Sequence, residues 1–315
     1  MRLFGKSRIV RAVPNPPTCS IIVASGAGGE FLFRCLDSLS AQDGLDVSEI
    51  LVVDRVGGEL AERVRRDYPH VKLLDHAGAE KLSVPQLRLA GAREARGSIL
   101  CVLEEHCVAP PGWLRTAIDR FEAAPSDVLA IGGPILDDDF DRIRDWVVYF
   151  SEYHNFLPPW ADGERYLLNG ANIAYRRAAV LEHESELTEG YWEVVLHPRL
   201  AERGKLVACN AMGAKHTGPF DFGYYLEQRY LLSRVWGGSQ RDRVGAGKRI
   251  FYLLFAPVFP FLLLARIAAR VLKSPQYLPR FVLALPLLLP VVFAYVFGEW
   301  RGYLSGVGDA LERVE

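Results

Sequence analysis

The sequence has no excess of charge of either sign: 37 Lys and Arg stand against 38 Asp and Glu in 315 residues, a formal net charge of −1. A surface that tracks nucleic-acid phosphates needs a basic excess, so nucleic acid is not the expected partner. Cysteine is sparse and odd in number. Cys19, Cys35, Cys101, Cys107 and Cys209 show no paired spacing, and several sit in apolar runs. That excludes a disulfide framework and fits reduced core thiols in a cytosolic compartment. The opening MRLFGKSRIVRAVPNPP is basic but lacks the apolar run of a signal peptide, so the front of the chain is expected in the cytoplasm. The common phosphate-binding glycine motifs are missing too. SGAGGEF supplies Gly26 and Gly28, but Phe31 stands where a dinucleotide fingerprint needs its third glycine, and no Gly-Lys-Ser/Thr follows. This stretch is read as a flexible strand-to-helix turn at a pocket rim.

What is present is a packed-core composition, with 50% hydrophobic and 24% charged residues. Up to about residue 249, short apolar runs alternate with amphipathic segments. CSIIVAS, SEILVVD, VKLLD and SILCVLE read as strands. FLFRCLDSLSAQ, GELAERVRRDYP and VPQLRLAGAREARG read as helices between them. Strands alternating with helices of this length predict βαβ units and a mainly parallel sheet, with ligands beyond the carboxyl ends of its strands. After residue 249 come two apolar runs, Ile250–Ala265 and Phe281–Gly298, of roughly 16 and 18 residues. They are slightly short of the ~20 residues of a perpendicular span. They are apolar all round, which favours a membrane over a soluble core. The connector carries Arg266, Arg270, Lys273 and Arg280. If both runs span, that basic loop lies on the disfavoured side; a re-entrant or interfacial hairpin would put it at phospholipid headgroups. The expected division is an N-terminal extension at 1–17, a catalytic-type α/β domain at 18–245, and a membrane-associated helical hairpin and tail at 246–315.

Two strands end in acids, Asp54 after ILVV and Glu104-Glu105-His106 after ILCVL. In a parallel sheet both ends face one edge, so these groups can converge. A diphosphate ligand there would need a divalent cation, Mg or Mn, held by carboxylates and an imidazole, while another acid accepts from ribose hydroxyls. Helix capping is the alternative, although Glu104 and Glu105 lie well upstream of the next helix. Zinc on Cys101, His106 and Cys107 is a third reading, against which Cys101 sits inside the strand. Asp137-Asp138-Asp139 matches Asp-x-Asp literally but precedes a helical pattern, where an acidic cap is the simpler account.

The order of these features resembles a family 2 glycosyltransferase of the GT-A fold, over about Cys19 to Trp236 plus the tail. CSIIVAS matches its opening strand, with Ala-Ser in place of Pro-Thr. EILVVDR resembles EIIVVDD, and SVPQLRLAGAREARG is similar to the Arg-Asn-x-Gly segment, with Leu89 in place of Asn. LEEHCVAPPGWL stands at Asp-x-Asp, LNGANIAYRR at the acceptor-side segment, and WEVVLHPRLAERG at the catalytic acid six residues before Arg. AKHTG, EQRYLLSRVWG and GEWRGYLSG match the late histidine, the basic helix and the membrane-proximal tail.

The resemblance implies inverting transfer of a sugar from a nucleotide sugar to a hydroxyl acceptor by a metal-dependent, hexosyltransferase-type enzyme. Glu193 is implied as the base, with Glu189 as runner-up. Ser25, Asp54 (at the nucleoside base), Arg88, Glu104 (at the ribose), Glu105, Arg229 and Arg234 are implied at the donor, and Arg241 is a further basic residue. His106 and Glu105 are implied at the metal, with His216 as a further ligand or diphosphate contact. Asn169, Gly170, Asn172, Tyr191 and Trp192 fall on the acceptor side. The chain departs from the pattern in having Glu-Glu-His for Asp-x-Asp and Glu for the basic Asp, which shifts each carboxylate by a methylene. The membrane tail suits a lipid-linked or envelope glycan acceptor at the cytoplasmic face. The alternative is a non-catalytic nucleotide-sugar-binding membrane protein with a degenerate metal motif.

Overall fold

The computed structural model describes residues 16–78, 82–188, 192–217 and 221–314. Most of the expected N-terminal extension, together with Glu189 and Tyr191, lies outside the described residues. The chain divides into two compact units. One runs to Gly133 and takes up again over Asp162–Ala214; the other comprises Pro134–Ala161 and the chain from Lys215 onward.

The first unit carries β1 (Cys19–Ser25), α1 (Glu30–Ser40), β2 (Ser48–Asp54), α2 (Gly58–Asp67), β3 (Val71–Asp75), α3 (Val84–Glu94), β4 (Ile99–Leu103), β5 (Cys107–Val108), α4 (Trp113–Ala123) and β6 (Val128–Gly132). After the other unit's β7 (Ile135–Leu136) and α5 (Ile143–Tyr153), it resumes with β8 (Gly163–Arg165), β9 (Asn172–Arg176), α6 (Arg177–Leu181), α7 (Glu184–Leu187), α8 (Glu193–Ala201) and β10 (Lys205–Ala208). Eight strands form one sheet in the order β3-β2-β1-β4-β9-β6-β10-β8. β3, β2, β1 and β4 run parallel, β9 is antiparallel to both neighbours, and β8 is antiparallel to β10. The expected α/β fold with a mixed, mainly parallel sheet is therefore present.

Local sequence explains the central elements. Every residue of β1 is buried, as a β-branched strand in the middle of a sheet covered on both faces should be. α3 starts where Gln86 Oε1 accepts from the Ser83 amide at 2.8 Å, with Pro85 in the first turn. It lies close on β1 and β2 through Gly91, where a Cβ would stand 2.9 Å from Ile22 and 3.0 Å from Val53. That close approach fixes where α3 presents Arg88, one turn earlier.

The second unit is helical. To α5 it adds α9 (Phe222–Gln240), α10 (Ala246–Phe255), α11 (Phe259–Val271), α12 (Leu278–Ser305) and α13 (Ala310–Arg313), with β11 (Ala214–His216) at its entry. Asp221 caps α9, its Oδ1 accepting from Gly223 and Tyr224 amides at 2.9 and 3.1 Å. α9 lies along α12 through small residues: a Cβ on Gly298 would stand 2.2 Å from the Tyr230 carbonyl oxygen, and one on Gly302 2.4 Å from that of Arg234. Trp146, Tyr149, Phe150, Tyr277 and Phe281 form an aromatic core between α5 and the start of α12. The expected boundary at residue 245 thus falls inside this unit, because α9 and α5 pack with the apolar tail helices. Two helical stretches, Ala246–Val271 and Pro275–Ser305, are long and apolar enough to cross a membrane. They are longer than the apolar runs because polar flanks continue the helices.

Candidate functional site

β2, β1 and β4 are adjacent and parallel, so Ser25, Asp54 and the turn after Leu103 come out on one edge of the sheet. β9 runs the opposite way beside β4, pairing Asn172 with Leu103. It therefore begins at that edge and brings the preceding Asn169–Ala171 with it. The Glu104 amide donates to the Ala171 carbonyl at 2.9 Å. From α3, Arg88 Nη1 meets Glu193 Oε1, at the start of α8, at 2.8 Å. Glu193 rests on Gly170, whose added Cβ would overlap its carboxylate. Four expected groups thus gather at one edge: the Glu104–His106 turn, the Asn169–Asn172 segment, Arg88 and Glu193.

The electrostatics bind them further. Burial works to raise the Glu193 carboxyl, but the Arg88 guanidinium, aided by His197, holds it below the usual carboxylate range. Burial opposes the charge on Arg88, yet Glu193 and then Glu104 raise its pKa, so Arg88 answers to both acids. His197, four residues after Glu193 on α8, is fully buried; burial pushes it down to about 4 against the pull of Glu193. Its Nε2 lies 2.9 Å from the Tyr175 hydroxyl, which also accepts from Trp192 Nε1 at 3.2 Å. This buried network supports the first turn of α8 from beneath. His197 and Tyr175 were not singled out from sequence. The signal for His197 was its i,i+4 spacing from Glu193, which puts both on one helix face; Tyr175 carried none.

Several expected contacts take another form. Asp54 is fully buried and its carboxylate accepts from the Val56 and Gly57 amides at 2.9 and 3.0 Å. It ties down its own strand-to-helix turn and presents no open oxygen to a nucleoside base. Glu105 is 3% exposed and accepts from the Gly26, Ala27 and Gly28 amides at 3.0, 2.9 and 3.0 Å. Both its oxygens are thus engaged by backbone rather than open to a metal or donor, and the glycine turn it grips is pinned instead of loose. Trp192 is 1% exposed, so it offers no face to a sugar. Asn172 is a brace: its Oδ1 accepts from Trp113 Nε1 and its Nδ2 donates to the Met212 carbonyl. Asn169 Oδ1 accepts from the Ala171 amide at 2.7 Å and shapes the turn beneath Glu193. Ser25 Oγ is buried without a hydrogen-bond partner among the described residues. His106 is partly open and lies against Phe31, with ring centroids 5.1 Å apart.

The remaining residues belong to the helical unit. Arg229 pairs with Glu152 at 3.3 Å, and Arg234 with Asp309 at 3.0 Å. His216 is buried against Tyr153. Asp137 accepts from the Tyr277 hydroxyl at 3.0 Å, and Asp138 faces Lys215 at 3.6 Å, which gives the literal Asp-x-Asp structural partners. No group of three His, Cys, Asp or Glu able to hold a metal occurs among the described residues.

The mixed, mainly parallel sheet, with acidic groups gathered at the carboxyl-end edge of its strands, is that of the GT-A glycosyltransferase fold. The chain belongs to the glycosyl transferase family 2, whose model matches residues 20–183. Among curated proteins it is similar to a glucosyl-dolichyl phosphate glucuronosyltransferase of Haloferax volcanii, 25% identical over 49% of this chain and 50% of that one. It also resembles mouse polypeptide N-acetylgalactosaminyltransferase 12, 26% identical over 72% of this chain and 36% of that one. The chain therefore spans half or less of the length of these relatives. Among solved structures, the mannosyltransferase PcManGT from Pyrobaculum calidifontis, in complex with GDP-Man and Mn2+, superposes with a TM-score of 0.55 at 16% identity over 93% of this chain and 90% of that one. TarS of S. aureus in complex with UDP-GlcNAc gives 0.51 at 12% identity, over 90% of this chain and 91% of that one.

Proposed function

We propose that the chain transfers a sugar from a nucleotide sugar to a hydroxyl acceptor with inversion, using Glu193 as general base. The observation carrying this reading is the placement of Glu193, oriented by Arg88, at the same sheet edge as the Glu104–His106 turn. Glu193 is ionised, held by a fixed cation, and a third of its side chain is open. That is the state a base needs before it accepts the acceptor's hydroxyl proton. The freed oxygen attacks the anomeric carbon from the face opposite the diphosphate. The bond from that carbon to the diphosphate breaks, and its electron pair leaves with the nucleoside diphosphate.

Glu104 and His106 are the two partly exposed residues of the turn, and the donor is assigned to them rather than to the buried Glu105. Two ligands do not make a resident metal site. They fit a divalent cation that arrives with the diphosphate and takes further oxygens from it. Such a cation would offset charge on the leaving group. The solved mannosyltransferase carries GDP-Man with Mn2+, which makes Mn2+ the first ion to try.

The two long apolar helices support membrane attachment, with the catalytic unit at the cytoplasmic face. Ile250, Leu254, Phe261, Leu262 and Leu283 are each more than half exposed, a poor surface in water and a good one in lipid. Arg266, Arg270, Lys273 and Arg280 are exposed around the connector, where headgroup phosphates would meet them. A relative named for a glucosyl-dolichyl phosphate acceptor favours a lipid-linked glycan as the class of acceptor.

A second reading, a nucleotide-sugar-binding protein without transfer, is favoured by the loss of Glu105 to the backbone and the short ligand set. A thermal-shift panel of nucleotide sugars with Mn2+ or Mg2+ separates these from a third outcome. Saturating donor should stabilise the protein by about 2.7 kcal/mol at a hundredfold excess over Kd. No shift with any nucleotide sugar sinks both readings; a shift without turnover leaves the second.

A further inference from the structure

Three consecutive amides, those of Gly26, Ala27 and Gly28, converge on one carboxylate from a turn 77 to 79 residues away in sequence. Such a run of backbone N–H groups is an anion-binding concavity, a nest, of the sort that elsewhere takes phosphate or carboxylate ligands. Here the chain supplies the anion itself. Glu105 Oε1 accepts two of the bonds and Oε2 the third, all at 2.9–3.0 Å, and the residue is 3% exposed. Charge-assisted bonds of this length in a water-poor setting are strong and directional.

The clamp does not stand alone. The Gly26 carbonyl accepts from Arg55 Nε at 3.0 Å, and Arg55 Nη1 donates to the Leu82 carbonyl at 2.8 Å, just ahead of α3. Arg55 in turn follows Asp54, which caps the turn after β2. The loops after β1, β2 and β4 and the entry to α3 are therefore laced together. Glu104 and His106, the partly exposed residues to which the proposed function assigns the donor, flank the clamped residue on either side.

We infer that Glu105 is a positioning residue: an internal anion that fills the Gly26–Gly28 nest and thereby holds Glu104 and His106 in place for the nucleotide diphosphate. The inference rests on the proposed function for the ligand and on the hydrogen bonds alone for the clamp. It also assigns the nest to the protein's own carboxylate, so the donor's phosphates do not bind there.

The test exploits the vacancy that Glu105→Ala creates. Three N–H groups then converge on space the size of a small carboxylate, which formate can fill. Sodium formate at tens of millimolar should raise the melting temperature of Glu105→Ala saturably, while sodium chloride at equal ionic strength does not and wild type does not respond. UDP and GDP with Mn2+ serve as probes of the donor site. Whichever binds wild type should bind Glu105→Ala roughly ten- to hundredfold more weakly, the scale of a misplacement near 1 Å, and formate should restore most of that loss. Glu105→Gln, nearly isosteric, keeps an oxygen for Gly26 and Ala27 but turns an amide donor toward the Gly28 N–H. It should fall between the two and not respond to formate, which keeps the test available if Glu105→Ala misfolds. Wild-type nucleotide affinity in both variants would overturn the inference. So would recovery of melting temperature by formate without recovery of nucleotide binding. If wild type binds neither nucleotide, the proposed function fails while the formate response still decides the clamp.

Discussion

Arg88 Nη1 stands 2.8 Å from Glu193 Oε1, joining α3 to the start of α8 across 105 residues of sequence. Arg88 is nearly enclosed, with 7% of its side chain exposed against 31% for Glu193. The contact sets both the orientation and the ionisation of the proposed base. Arg88→Gln should raise the Glu193 pKa, because the opposing cation is gone and the burial cost remains. A base works only when deprotonated, so the acid limb of the pH–rate profile should move to higher pH. An acid limb unchanged in Arg88→Gln would remove Glu193 from that role.

The same pair makes a statement about stability. The folded-state pKa of Glu193 is depressed, so the pair's contribution is fully present above the unfolded carboxyl value and is lost as pH falls through the lower folded value. Arg88→Gln should cost roughly 1–3 kcal/mol at neutral pH, less than a fully buried pair because Glu193 is partly open. Urea unfolding at pH 7 and at pH 3.5 should show the gap between wild type and variant narrowing at the lower pH. An equal gap at both would contradict this.

Gly298 and Gly302 let α12 touch the backbone of α9. Gly298→Ala forces a methyl to within 2.2 Å of the Tyr230 carbonyl oxygen unless the helices part. Overpacking of this kind costs about 1–3 kcal/mol, and the melting temperature in detergent should drop by several degrees. Gly247→Ala, inside α10 where an added Cβ meets nothing within 4 Å, is the matched control and should leave it unchanged or slightly raised.

Membrane attachment predicts two separable contributions. Flotation with neutral phosphatidylcholine vesicles should carry the wild-type chain through its apolar helices. Added phosphatidylglycerol should strengthen binding, and the triple variant Arg266→Glu, Arg270→Glu, Lys273→Glu should lose that increment alone, since each basic residue near a charged surface contributes about 1 kcal/mol. A chain that stays with the soluble fraction in both lipids would contradict the membrane reading.

The parallel half of the sheet, β3-β2-β1-β4, was legible because its strands and the helices between them follow from local pattern, whereas β9, β6, β10 and β8 were not read as strands. SEILVVD gives β2 residue for residue, and VPQLRLAGAREARG gives α3, although the helix stops at Glu94, three residues before the expected closing Gly97. The site was legible only as an edge. That Asp54 and the Glu104 turn emerge together follows from parallel strands; that Asp54 and Glu105 spend their oxygens on backbone amides does not, because those partners are set by loop conformation and by contacts nearly 80 residues apart. Trp192 beside the expected base looked available to a ligand, yet its ring completes the core under α8. The second unit was hidden for a related reason. α5 lies well ahead of the apolar tail in sequence, and the contacts that join them, among them those of Trp146, Tyr149 and Phe150 with Tyr277, are tertiary and leave no local pattern.

The central claim is that Glu193 takes the acceptor proton, and Glu193→Gln tests it most directly. Gln keeps the size of the side chain and an oxygen toward Arg88, while removing the basic carboxylate. With a nucleotide sugar that stabilises wild type in the presence of Mn2+, the variant should bind donor with an unchanged thermal shift and lose roughly 10²–10⁴-fold in the rate of transfer or donor hydrolysis. Turnover within a few-fold of wild type, at undiminished donor binding, would contradict the account.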